Sequence, residues 1–321
     1  MPGWITRLFH RDSATEDGEL AVALERAAEQ VEPRLKGSPD FPRRYRAMIS
    51  RALEYSRGLA QDIPGPIEID AQRLAHDALL RTLFSSPEQM RQALCLSHAM
   101  HEYARRPGGP GREVYALMGA RRQEKTVFGV GLQGEVLQRG VAQRVLSFTD
   151  HTLSSPAPTE EEARWLLMWE LYDGLLARVA ERVRSRQQAR LELEKERDLL
   201  SAELRQADPT RRPQLQQRLQ AVLERLAAAT AALDLRRLQE DFAAVLTAPE
   251  EHVRLDRVTL RIDGMGVLSQ VEGIGVHTLE LTELSGRDRR HWTVMLVHCH
   301  PRPGELSLQS RLQQASRWLQ L

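Results

Sequence analysis

The sequence predicts an α+β chain, mainly α, and three observations predict it. Two long helical stretches between residues 158 and 249 carry an apolar seam at alternating steps of four and three. Short segments rich in β-branched residues lie on both sides of those helices and hardly inside them. Amphipathic helical patterns fill residues 15–106. The expected architecture is an N-terminal helical domain, a split antiparallel β domain, a long inserted antiparallel coiled-coil hairpin and a C-terminal amphipathic helix.

Residues 1–14 read as a tail. Trp4, Ile5, Leu8 and Phe9 share a helical face with Arg7 and Arg11 nearby, so one alternative is a short anchor on a membrane surface. Four helices follow in residues 15–106. The first runs from about 15 to 35, with Leu20, Leu24, Ala27 and Val31 on one face. The second spans roughly 40–61 and carries Tyr45, Ile49, Leu53 and Tyr55. Ile63-Pro64-Gly65-Pro66 is a stiff connector, and Ile67-Glu68-Ile69 reads as one short strand. Asp70 caps a third helix through Leu83, and Ser86-Pro87-Glu88 starts a fourth. The Pro/Gly cluster from Arg106 to Pro110 is the clearest boundary.

Residues 111–157 read as the first half of the β domain. Four short strands are expected, 113–121, 126–132, 135–139 and 143–148, with turns at Arg122-Gln123-Glu124, Gln133-Gly134 and Gly140. Residues 250–303 supply the second half, with strands near 254–262, 276–284 and 291–299. The last helix occupies 304–321, with Leu308, Leu312, Ala315 and Leu319 on one face.

The inserted hairpin covers residues 158–249. Thr159 caps its first helix and Glu162 completes a capping box. The seam runs through Trp165, Trp169, Tyr172, Leu176, Val179, Val183, Arg186, Arg190, Leu193, Arg197, Leu200 and Leu204. Asp208-Pro209 ends that helix, because proline disfavours helical geometry in the residue before it. Leu215, Leu219, Val222 and Leu226 continue the pattern on the second helix, which Ala248-Pro249 closes. Folding back near Pro209 sets Leu200 and Leu204 near Leu219 and Leu215, and sets the seam arginines against Leu235 and an alanine run. The arms would be roughly 55–70 Å long at about 1.5 Å per residue. Arg186, Arg190 and Arg197 at seam positions imply either a partner's carboxylates or a loosely packed spacer. The residues expected to meet a partner, or a second copy, are Trp165, Trp169, Tyr172, Arg186, Arg190, Arg197, Leu200, Leu204, Leu215 and Leu219.

Composition excludes several classes. Net charge is +1, so no global field favours nucleic acid or anionic lipid. No apolar run reaches membrane-spanning length, and no signal-peptide core stands at the N-terminus, so a cytoplasmic location is expected. Cys95 and Cys299 are the two cysteines and form no disulfide framework. Lys36, Lys125 and Lys195 are the only lysines and asparagine is absent, which points to a G+C-rich, bacterial coding sequence. The arginine clusters at 43–51 and 178–190 therefore reflect coding bias and solvated helix faces more than nucleic-acid binding, and interleaved aromatics are missing.

The chemistry-bearing motifs are few. Gly129-Val130-Gly131-Leu132-Gln133-Gly134 matches a dinucleotide fingerprint by letter, but Gly140 interrupts the helix that would have to follow. His298-Cys299-His300 has metal-like spacing, since strand positions two apart project to one face. His277 on the expected neighbouring strand would be a third ligand, and His291 and Asp288 are close in sequence. Strand-end histidines are common without an ion, so no metal or other cofactor is expected; His277, His298 and His300 are the candidates for a ligand- or metal-responsive β domain as the alternative. Cys95, His98 and His101 recur every three residues on the fourth helix and read as a polar face. No nucleophile elbow, lysine-bearing phosphate loop or zinc-protease helix occurs. These absences point away from an enzyme and toward an assembly or adaptor protein acting through the hairpin.

Overall fold

The computed structural model describes residues 16–95, 97–106, 113–133, 136–273, 275–286 and 291–300. The expected tail 1–14 and terminal helix 304–321 lie outside the described residues. The chain is mixed helix and strand, with one helix of 47 residues and an antiparallel sheet. It divides into two compact units, Met1–Tyr55 with Leu171–His252, and Ser56–Glu170 with Val253–Leu321. Residues 15–106, drawn from sequence as one helical domain, are thus shared between the units.

The first unit is helical. It holds α1 (Glu16–Val31), a 3-10 turn (Pro33–Gly37) and most of α2 (Phe41–Asp62). It also holds α7 (Glu160–Gln206) from Leu171 onward, α8 (Arg212–Ala231) and α9 (Leu235–Leu246). Apolar spacing on these helices makes one buried stripe: Ala23, Ala27, Ile49, Ala52, Leu176, Val179, Phe242 and Val245 are closed to solvent. Tyr45 meets Phe242 edge-on, with ring centroids 4.9 Å apart. Tyr172 is fully buried, and its hydroxyl donates to the Ala23 carbonyl at 3.0 Å. Burial holds that phenol well above its ordinary pKa, with the neighbouring Asp173 carboxylate adding to the effect.

The second unit is built on the sheet. After β1 (Ile67–Ile69) come four short helices: α3 (Ala71–Leu74), α4 (Ala78–Leu83), α5 (Pro87–Cys95) and α6 (His98–Ala104). The strands are β2 (Val114–Gln133), β3 (Val136–Ala157), β4 (Val253–Ile262), β5 (His277–Gly286) and β6 (His291–Cys299). Their order is β3-β2-β6-β5-β4, with β1 parallel to β6, so strands from before and after the helical excursion share one sheet. Val114, Ala116, Met118 and Ala120 of β2 alternate onto the same face as Met295, Val297 and Cys299 of β6. Leu74, Leu80, Leu83, Phe84, Met90, Met100 and Tyr103 of the short helices pack against them. Each valine, leucine, phenylalanine or methionine buried this way contributes about 1.5–3 kcal/mol. Beyond the turn after β4, Val267 bridges Val145 of β3 while Leu268 bridges Ile262, so the two outer strands are joined.

Several elements differ from expectation, each for a local reason. The four short strands of residues 113–148 are two long ones. Arg122-Gln123-Glu124 makes no turn, having neither glycine nor proline, and its residues pair with Phe148, Ser147 and Leu146. Gly140 is a bulge: Gly129 pairs with Val141 and Val130 with Arg139, leaving Gly140 unpaired at φ +76°. The Gly129–Gly131 fingerprint lies inside β2, and the chain returns as β3, so no helix receives a phosphate there. The expected third helix breaks at Asp77, whose carboxylate accepts from the Leu79 and Leu80 amides and caps a new helix. The fourth breaks before Ser97, whose hydroxyl accepts from the Met100 amide. That break separates Cys95 from His98 and His101, and His101 is buried.

One contact places β1. Arg164, buried near the start of α7, donates through Nη1 to the carbonyls of Ala60 (2.7 Å), Gln61 (3.3 Å) and Ile63 (3.1 Å). Its Nη2 reaches Gly65 O at 3.2 Å. Ala60 and Gln61 are carbonyls that the last turn of α2 leaves without helical partners, and Ile63 and Gly65 belong to the connector that follows. The connector then lies along β6, where the Leu296 amide donates to Pro64 O at 2.8 Å. Gly65 has φ +118°, and a Cβ there would sit 2.2 Å from Leu296 O, so only glycine passes.

Two outcomes are expected. Arg164→Met removes the donor fork and lowers unfolding free energy by about 2–4 kcal/mol in urea titration. Arg164→Lys recovers less than half, because one ammonium cannot span four carbonyls. Separately, the His151 ring lies on Phe84 with centroids 5.0 Å apart and bonds Leu83 O at 2.9 Å. Burial lowers its pKa, against the raising effects of Leu83 O and Asp150. The unfolded chain then binds the proton more readily, so this contribution to stability is lost as pH falls below about 6.5. Urea midpoints at about pH 7.5 and 5.5 should differ less in His151→Gln than in the wild type.

Candidate functional site

Two features carry residues singled out by the sequence. The first is the meeting of α7 and α8. The chain reverses at Asp208-Pro209, where Asp208 O accepts from the amides of Arg211 and Arg212. Toward this reversal Leu193, Leu200 and Val222 are buried, with Leu215, Leu219, Leu226 and Ala229 packed on them. Within residues 187–231 these three are the only buried side chains. Leu191, Leu199 and Leu223 are 49%, 66% and 41% exposed.

Nearer the α7 start, the seam is consumed by the fold itself. Trp169 and Tyr172 are core residues; Trp165 is half-buried and packs edge-on against Trp169, with centroids 6.1 Å apart. Arg186 grips Asp241 of α9 with both nitrogens, Nη2 lying 2.6 Å from Oδ1, and Asp241 is 2% exposed. Arg190 bonds Glu194 one turn on at 2.9 Å, and Arg197 bonds Asp198 at 2.7 Å. The carboxylates that the seam arginines ask for come from this chain. Leu204, Leu215 and Leu219 are partly buried.

The second feature lies on the sheet face opposite the short helices. Glu68 on β1 stands beside His298 on β6 in parallel register, and Tyr115 on β2 stands on the other side of His298. The three side chains form a row across the sheet. The Tyr115 and His298 rings stack at 4.4 Å with 6° between planes. His300, two residues on, turns its ring toward the same place, 4.7 Å from the His298 ring. Glu68 accepts from both imidazoles, Oε2 at 2.9 Å from His298 Nδ1 and Oε1 at 2.8 Å from His300 Nε2. Glu113 Oε2 lies 3.8 Å from His298 Nε2, a buried nitrogen with no hydrogen-bond partner among the described residues. Burial raises the Tyr115 pKa, and the carboxylates of Glu113, Glu160, Glu68 and Glu161 raise it further, so the place is electronegative.

His298 and His300 therefore come together as their spacing implies, and His277 does not join them. Ser285 pairs with His291 and Glu283 with Thr293; extended, that register would put Thr278 opposite His298. The pairing stops at Glu283, and β1 takes the remaining edge of β6. His277 is exposed at the far end of β5, paired with Ile262. His291 lies seven positions from His298, about 23 Å along an extended strand. Asp288 is outside the described residues. Glu68, Glu113 and Tyr115 were not singled out by sequence. The one available signal was a carboxylate centred in the three-residue strand Ile67-Glu68-Ile69.

The Arg186–Asp241 pair predicts a specific mutational pattern. Asp241→Ala should cost about 3–5 kcal/mol in urea unfolding, because the guanidinium loses a buried partner. Arg186→Met with Asp241→Leu should recover most of that loss, since an apolar pair of similar volume needs no desolvation.

Among the described residues no helix is long and apolar enough to cross a membrane. No protein-family description, no curated protein and no solved structure matches this chain.

Proposed function

We propose that the chain is a non-enzymatic assembly protein, and that α7 and α8 form a coiled-coil hairpin whose distal part joins a second copy of the same chain. The observation that carries this reading is the thinness of that part. Residues 187–231 bury three side chains and leave three leucines open to solvent. Leu191 is two residues from Leu193, about 200° around the helix, so it faces away from the internal seam. Two helices alone cover too little apolar surface for a self-sufficient core.

Charge supports a second copy as the occupant. Residues 191–206 carry five acidic and three basic side chains, a net of −2. Residues 211–231 carry four basic and one acidic, a net of +3. A two-fold pairing can set the acidic helix of one chain against the basic helix of the other, twice over. Light scattering after size exclusion tests this. The expected result is a dimer for the intact chain and a monomer for Leu191→Glu, Leu199→Glu, Leu223→Glu combined, with unchanged helical circular dichroism. A monomeric intact chain at all concentrations, or a triple variant that still dimerises, overturns the reading.

A further inference from the structure

We propose that Glu68, His298 and His300 bind one divalent transition-metal ion of the zinc class, with Glu113 as the outer partner of His298. This is independent of the helical assembly surface. One oxygen and two ring nitrogens lie within 4.8 Å of one another, supplied by β1 and the end of β6. Imidazole with carboxylate suits zinc, cobalt, nickel and copper better than calcium or magnesium, which take oxygen ligands.

The arrangement already has the shape of a ligand set. A single carboxylate accepts from both rings, so the three donor atoms converge on one point. An ion entering there replaces the two ring protons that now face Glu68. Each ring keeps one proton, moved to its other nitrogen. For His298 that nitrogen is Nε2, buried and without a hydrogen bond among the described residues, with the Glu113 carboxylate 3.8 Å away. A ligating histidine ordinarily donates its outer N–H to a carboxylate, which fixes the tautomer and orients the ring. The ion would give Nε2 the proton that Glu113 is placed to accept.

The frame is rigid, so little ordering is needed on binding. Glu68 and His298 are paired strand residues, and the Tyr115 ring stacks flat on the His298 ring. The Arg164 clamp and the Pro64–Leu296 hydrogen bond hold the connector that leads into β1. The Glu68 and Glu113 carboxylates beside the two imidazoles make the location favourable to a cation. Three protein ligands leave a fourth tetrahedral position, the pattern of a site that admits water or a further ligand.

The test uses the full chain without a histidine tag, dialysed against zinc(II), with bound metal measured by elemental analysis. Cobalt(II) visible absorption reports the coordination geometry. One ion per chain is expected. Glu68→Gln and His300→Ala should each weaken binding at least about tenfold, and Glu113→Gln, which leaves all three ligands in place, by about 10–100-fold. His277→Ala should leave binding unchanged. His300 is half exposed and Glu68→Gln keeps its shape, so both variants should fold; unchanged circular dichroism verifies it. Substoichiometric binding by the intact chain, binding that survives Glu68→Gln and His300→Ala together, or loss of binding in His277→Ala overturns the proposal.

Discussion

The sheet unit depends on one buried guanidinium. From the first turns of α7, Arg164 takes two carbonyls that the last turn of α2 leaves without helical partners and two more from the connector after it. Four acceptors in one small volume would otherwise have to stay wet, and the connector could not lie against β6. Because it does lie there, β1 can pair in parallel beside His298, and Glu68 reaches both imidazoles. A backbone satisfaction problem at a helix end thus decides where a carboxylate stands on a sheet.

Much of this was legible in the sequence, and what was legible was local. The four-three seam and the Asp208-Pro209 break delimit α7, which ends at Gln206. Strand segments on both sides of the helices anticipated a sheet drawing on both. Single-residue chemistry also read correctly where it acts over three or four positions: Asp70 caps a helix, and its side chain accepts from the Gln72 amide. What failed was whatever depends on a distant partner. Arg122-Gln123-Glu124 looked like a turn because it is polar, yet in the fold Arg122 pairs with the buried Glu283 of β5. Glu68 meets His298 across 230 positions, and no spacing rule reaches that far.

The helical unit shows the same limit in its charges. An arginine at a seam position demands a carboxylate, and the sequence states that demand clearly. It does not state whether the answer comes from another molecule or from the same chain. For Arg186 the answer is Asp241, 55 positions on, held almost without solvent. Arg190 and Arg197 find theirs on their own helix. Beyond these pairs, the distal helices leave apolar surface open at Leu191, Leu199 and Leu223.

The split sheet also has a consequence in time. Residues 114–120 of β2 find their partner in residues 293–299 of β6, between 173 and 185 residues later. At ribosomal rates of about 5–20 residues per second, that edge stays open for roughly 9–37 s after it is made. The interval holds the rest of β2, then β3, β4 and β5, and between β3 and β4 the helices α7, α8 and α9, whose backbone bonds span four residues and need no distant strand. During synthesis the helices can form first and carry the second half of the sheet back toward the first. The long excursion then delays closure of the sheet while shortening the search for it.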